Sequence, residues 1–204
     1  MTIGIINLET GNIGSLESAM SKLNIRYKLC KTPFDLDGIK KIILPGVGAF
    51  GDFMNKLNNS GISEAILNRS SLGIPILGVC IGFQVLFQQS TEYGKFNGLN
   101  ILDGKIDSFL SISKNLKVPH VGWNECFYIK ENPLFFEIKN NTDFYFTHSF
   151  FLKDFNKADV LCTTNYGLDF VSAVNKNNIY GVQFHPEKSQ AAGLKILKNF
   201  YENC

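Results

Sequence analysis

The chain has no Cys-x-x-Cys pair, one tryptophan, three histidines and six prolines among its 204 residues. No apolar run approaches the roughly 20 residues that a membrane-spanning helix needs. Each shortage closes a class of function. The five cysteines (Cys30, Cys80, Cys126, Cys162 and Cys204) are odd in number and far apart, which argues against a disulfide framework and against a zinc site. Basic and acidic residues nearly balance, at a net charge of +2, and the lysines are scattered, so no nucleic-acid footprint is expected. Met1-Thr2-Ile3-Gly4 opens without a basic segment or a long apolar stretch, so no secretory signal is expected and the chain reads as cytoplasmic.

What is present suits a globular protein. Apolar residues make up 45% of a length that one domain, 1–204, can bury without staples. In the first half, short apolar runs alternate with helix-period segments. Residues 3–8, 26–30, 41–44 and 74–79 read as strands, and residues 13–23, 50–57, 62–67 and 81–89 as helices. This alternation predicts an α/β fold with a mostly parallel sheet and helices on both faces. After Gly98 the pattern turns strand-rich, over 99–102, 105–110, 124–129, 143–149, 159–164, 170–176 and 179–184. An antiparallel portion is therefore expected to pack onto or extend the sheet, before an amphipathic helix over 190–201.

Two strand ends carry chemistry. Cys80 lies in Gly78-Val79-Cys80-Ile81-Gly82, directly after an apolar run. A second run, Ile179 to Phe184, ends in His185-Pro186-Glu187. A thiol, an imidazole and a carboxylate brought to one sheet edge form the set that nucleophilic catalysis needs. A lone buried cysteine is more often a small hydrophobe; it is the pairing with His185 that favours chemistry. Gly46-Val47-Gly48-Ala49-Phe50-Gly51 fits a dinucleotide fingerprint, but it follows the third strand, after a proline, with no acidic residue ending the next strand. An oxyanion-binding turn is the better use of those glycines. His120 and His148 could each serve as a general base, although hydrogen-bonded loop histidines are the more ordinary reading.

Cys80 with its flanking glycines and Gln84, together with His185-Pro186-Glu187, resembles the class I (triad) glutamine amidotransferases. Pro45 to Gly48, Pro119 to Asn124, Tyr145 to Ser149 and Gly181 to Ser189 narrow the likeness to the HisH glutaminases of imidazole glycerol phosphate synthase. The resemblance spans almost the whole chain and implies a flavodoxin-like fold without cofactor or metal. It implies Cys80 as nucleophile, His185 as base and acid, and Glu187 as its orienting carboxylate. Backbone N–H groups of Val47 and Ile81 would form the oxyanion hole. Gly48, Gln84, Glu92, His148, Ser149 and Phe150 would bind L-glutamine, the last three near their backbone. Asn12, Trp123, Tyr145 and Lys188 would face a (β/α)8-barrel cyclase partner, where ammonia leaves. The chain departs from the family at Asn7-Leu8-Glu9, where Asp-Tyr-Gly is usual, and at Phe83 and Val121, which replace methionines. Other readings are a paralogue feeding a surface-sugar amination system, a stand-alone cysteine hydrolase, and a partner-binding module with a dead site.

Overall fold

Ile3 to Ile6, Lys41 to Leu44 and Ile76 to Cys80 are buried throughout, as strands covered on both faces must be. The computed structural model describes residues 1–9 and 13–204; Asn12, one of the expected partner contacts, lies outside them. The first half forms β1 (Ile3–Ile6), α1 (Gly14–Lys22), β2 (Tyr27–Cys30), β3 (Lys41–Gly46), α2 (Phe50–Asn59), α3 (Ile62–Ser71), β4 (Ile76–Cys80) and α4 (Ile81–Gln84). There follow β5 (Gln89–Ser90), β6 (Phe96–Asn97), β7 (Lys105–Ser108), β8 (His120–Tyr128) and β9 (Thr142–His148). The chain ends with β10 (Phe150–Lys153), β11 (Val160–Asn165), β12 (Asp169–Lys176), β13 (Ile179–Val182) and α5 (Gln190–Asn203).

The parallel part runs β2-β1-β3-β4-β13, the flavodoxin-like 2-1-3-4-5 order with β13 in fifth place. Successive side chains of a strand point to opposite faces, and the packing follows suit. Ile5, Ile43, Leu77 and Val79 join one core with residues of α1 and α5. Ile6, Ile42, Leu44 and Ile76 join the other with α2 and α3. The antiparallel portion extends the same sheet, and Phe144 and Phe146 of β9 join the core on its α1–α5 face. β12 pairs antiparallel with β13 and carries β10, β7, β5 and β6 on one path. It carries β11, β8 and β9 on another.

Several expected elements change. The helix over 81–89 stops at Gln84, and Gln89–Ser90 is a strand. The carbonyls of Val85, Leu86 and Phe87 accept from Leu99, Asn100, Ile101 and Leu102, so long-range partners replace helical ones. The same bonds bend residues 99–102 away from any strand. β7 ends at Ser108 in a one-turn 3-10 helix, Phe109–Ser111, and β8 starts at His120, before the expected residue 124. Among the described residues no helix is long and apolar enough to cross a membrane.

Candidate active site

Cys80 ends β4 with φ 55° and ψ −110°, a backbone conformation that a side chain bearing Cβ rarely adopts. Close packing holds it there. A Cβ on Gly82 would come within 1.7 Å of the Leu44 carbonyl oxygen, so only glycine lets α4 start against β3. The turn leaves Cys80 Sγ at the C-terminal edge of the parallel strands, where ligands of open α/β sheets bind.

β13 is the neighbour of β4, with Val182 opposite Val79, so the chain leaving β13 emerges beside the cysteine. His185 Nδ1 and Glu187 Oε1 are 2.7 Å apart, and both side chains are nearly sequestered from solvent. The His185 N–H donates to the Tyr145 carbonyl at 2.9 Å. Ser189 Oγ donates to the His185 carbonyl at 2.6 Å and accepts from the Tyr145 N–H at 2.9 Å. The imidazole is thus fixed by its backbone and by its Nδ1 partner. Nε2 has no hydrogen-bond partner of ordinary geometry, yet it lies near enough to couple to Cys80. Burial works against its protonation; the sulfur and then the carboxylate outweigh burial and raise His185 to about 10. An imidazolium is stabilised there between two acidic groups.

A cavity of about 290 Å3 opens on this pair, at the small end of the range for ligand sites and suited to an amino acid. Gly48, Gln84, Glu92, His148, Ser149 and Phe150 line it, together with Cys80, His185, Val47 and Ile81. Gly48 has φ 101° and nothing near its missing Cβ, so its glycine serves backbone conformation. Gly46 is different: a Cβ there would meet Ile81 Cγ2 at 2.2 Å, so its glycine serves packing. No nucleotide site is needed to explain this segment. Ile81, as the first residue of α4, has an N–H without an intrahelical acceptor.

The sequence profile of the class I glutamine amidotransferases matches residues 5–204. A Leptospira borgpetersenii protein named imidazole glycerol phosphate synthase subunit HisH is 43% identical, covering 97% of this chain and 98% of its own. One of the same name from Moorella thermoacetica is 40% identical, covering 98% and 94%. The chain belongs to the class I glutamine amidotransferases, in the HisH group. A solved glutamine amidotransferase superimposes with a TM-score of 0.76 at 19% identity, over 98% of this chain and 97% of that one. The PurLQS structure from Thermotoga maritima gives 0.77 at 17%, with the same coverage. At those identities the two structures speak for the fold alone.

In this amidotransferase Gln84 offers the cavity only one kind of group. Its Nε2 donates to the Phe150 carbonyl at 3.1 Å and to Gln183 Oε1 at 2.9 Å, which leaves its own carbonyl oxygen as a free acceptor. Glu92 Oε2 accepts the Phe50 N–H at 2.7 Å, at the start of α2. Burial raises its pKa, the Phe50 N–H opposes this, and Asp52 adds to the rise. His120 and His148 are buried and committed to each other. His148 Nδ1–H donates to the Phe150 carbonyl at 2.7 Å, and its Nε2 lies 3.0 Å from His120 Nδ1. Asn124 Nδ2 approaches His120 Nε2 at 3.3 Å. Burial is the main cause lowering His120 to about 4 and His148 to about 3. Neither ring is free to act as a base. His120 opens β8, ahead of the strand expected from residue 124, and His148 ends β9, within the strand expected over 143–149.

Trp123 faces Tyr145 across the β8–β9 ladder, rings edge to face at 6.0 Å, and Lys188 Nζ lies 5.9 Å from the Tyr145 ring centre. The three expected partner contacts within the described residues therefore share one surface, with Trp123 47% exposed. Sequence reasoning passed over Gln183 and Thr147, which both reach Cys80 Sγ. Gln183 could have been found: it is a polar residue in an apolar run, two before His185 and so on the same side of an extended chain.

Proposed function

We propose that this chain, as one domain of residues 1–204, is the glutaminase subunit of an imidazole glycerol phosphate synthase in the cytoplasm. It hydrolyses L-glutamine to glutamate and ammonia and passes the ammonia to a (β/α)8-barrel cyclase in histidine biosynthesis. The carrying observation is the cavity of amino-acid size that holds Cys80, on its strained turn, against the His185–Glu187 pair. The names of relatives at 40% and 43% identity support the synthase and the pathway.

His185 Nε2 takes the proton of Cys80, and the thiolate attacks the side-chain amide carbon of glutamine. The amide oxygen becomes an oxyanion that accepts from the N–H groups of Val47 and Ile81. As the C–N bond breaks, His185 returns the proton to the leaving nitrogen, giving ammonia and a γ-glutamyl thioester. Water, deprotonated by His185, then attacks the thioester and releases glutamate and the thiol. Glu187 holds the Nδ1–H tautomer and supports the imidazolium, as the carboxylate of such triads does. Gly48, Gln84, Glu92 and the backbone around His148, Ser149 and Phe150 hold the substrate. Trp123, Tyr145 and Lys188 contact the cyclase, with Asn12 assigned there by resemblance. Val47, His185 and Glu187 also line a second, smaller crevice of about 30 Å3 at the ends of β1, β3 and β4.

The test uses the Cys80→Ser chain assembled with its cyclase. Glutamine-dependent synthesis should fall by about 10⁴-fold or more, on the scale of triad removal, while synthesis from added ammonium salt continues. Glutaminase turnover near wild type would overturn the assignment. The isolated chain should turn over glutamine slowly, and the cyclase with its nucleotide ligand should raise that rate. Loss of one oxyanion donor is worth about 10²–10³ in rate, so a reoriented Val47 peptide could account for activation of that size. Full activity of the chain alone would favour the stand-alone hydrolase.

A further inference from the structure

We propose that Gln183 is a further residue of the reaction: its side-chain amide donates to the Cys80 sulfur and stabilises the thiolate, while Gln84 sets the amide's orientation. The inference rests on Cys80 being the nucleophile. Gln183 is completely buried, one residue past β13, with its backbone N–H bonded to the Ser172 carbonyl at 2.9 Å. Its Nε2 lies 3.9 Å from Cys80 Sγ.

Which end of the amide faces the sulfur is decided by the other end. Gln183 Oε1 accepts from Gln84 Nε2 at 2.9 Å, so the carbonyl is used there and the NH2 group turns to Cys80. Gln84 is itself held, because its second N–H donates to the Phe150 carbonyl at 3.1 Å. That carbonyl also accepts from His148, whose ring meets His120, which Asn124 approaches from its other nitrogen. A Gln183 amide rotated by half a turn would oppose oxygen to sulfur and nitrogen to nitrogen.

The Thr147 carbonyl also lies 3.9 Å from Sγ. A protonated thiol donates to that oxygen, whereas a thiolate is repelled by it. The Gln183 N–H has the opposite preference and is worth most to the anion, since hydrogen bonds to charged groups are the stronger ones. Cys80 is only 7% exposed, so little water can reach its sulfur. A fixed amide donor takes water's place and lowers the barrier to forming the nucleophile.

The experiment follows alkylation of Cys80 in the full-length chain by iodoacetamide across pH, read by peptide mass spectrometry, alongside kcat and KM for glutamine. Gln183→Met keeps the length of the side chain and removes both amide groups. Gln183→Glu keeps an acceptor for Gln84 and replaces the donor that faces the sulfur with oxygen. Gln183→Met should move the alkylation midpoint up by about one pH unit, the size of one hydrogen bond to a charged group. Gln183→Glu should move it further. Both should lower kcat about tenfold or more, with a smaller change in KM. A purely structural Gln183 would leave the midpoint where it is. An unmoved midpoint in folded variants, with wild-type Cys80 alkylated normally, overturns the proposal and leaves the nucleophile reading intact. Loss of fold in both variants also overturns it, marking Gln183 as a packing residue. If wild-type Cys80 resists alkylation and Cys80→Ser retains turnover, the nucleophile reading itself fails.

Discussion

Along β2-β1-β3-β4-β13 the neighbours run parallel, and beyond β12 they pair mostly antiparallel. The groups proposed to carry the chemistry all follow parallel strands: Val47 after β3, Cys80 and Ile81 at the end of β4, His185 and Glu187 after β13. The antiparallel half contributes the cavity wall from Thr147 to Phe150 and the surface of Trp123 and Tyr145. Topology is the reason. Parallel neighbours end at the same edge, so residues distant in sequence converge there. Antiparallel neighbours end at opposite edges and bring together cross-strand pairs such as Trp123 with Tyr145 and His120 with His148. Chemistry is concentrated in one half and positioning in the other.

The largest test of that division lies in the parallel half. His185→Ala should lower kcat for glutamine by about 10⁴-fold or more, and Glu187→Gln by less, because the carboxylate acts through the imidazole. Steady-state kinetics would measure both, and equal losses would give Glu187 a direct part in proton transfer. The glycines of the same half should separate stability from activity. Gly82→Ala drives a Cβ into the Leu44 carbonyl and should destabilise the fold, by about 3 kcal/mol or more in urea unfolding, at or above the usual range for overpacking. Gly48→Ala meets open space but must hold φ 101°; it should lower glutamine turnover with a stability loss of about 1–2 kcal/mol. A Gly48→Ala enzyme of full activity would remove the need for that turn geometry.

The smallest effects concern pH, and the two halves should respond with opposite sign. His120 and His148, in the antiparallel half, have folded values lowered to about 4 and about 3 from the ordinary 6.5. On acidification the unfolded chain takes up protons before the folded one does, so stability should fall as pH drops from about 6.5 towards 4. Burial opposes protonation of His185, and the Cys80 sulfur and then Glu187 favour it. A proton passed from Cys80 leaves the number bound unchanged, so only the share due to Glu187 adds stability, full below 6.5 and lost as pH rises above it. Urea midpoints across pH should show His120→Gln flattening the acid limb and His185→Gln flattening the alkaline one. An acid limb unchanged in His120→Gln would mean that the histidine pair is not held neutral.

The strands that carry the candidate site were legible because burial on both faces writes itself as nearly continuous apolar runs. Cys80, His185 and Glu187 stood out as a set, because each alone has an ordinary reading but a thiol, an imidazole and a carboxylate at neighbouring strand ends point to nucleophilic catalysis. The segment after Gln84 was misread. Val85, Leu86 and Phe87 continue an apolar helix pattern, yet their carbonyls bond to residues 99–102, which no local signal announces. His120 and His148 were ambiguous for a related reason. A histidine reads the same whether its partner is solvent, substrate or another histidine 28 positions away in sequence.

Local sequence determined the parallel strands, the tight turn at Cys80 and the pairing of His185 with Glu187, because propensity, glycine sterics and the two-residue period act over a few positions. Tertiary structure alone decided which polar groups distant in sequence meet. The Gln84–Gln183 contact spans 99 positions and the approach of Gln183 to Cys80 spans 103. Both exist because β13 enters the sheet beside β4, and an amide's orientation is set only when its partners have arrived.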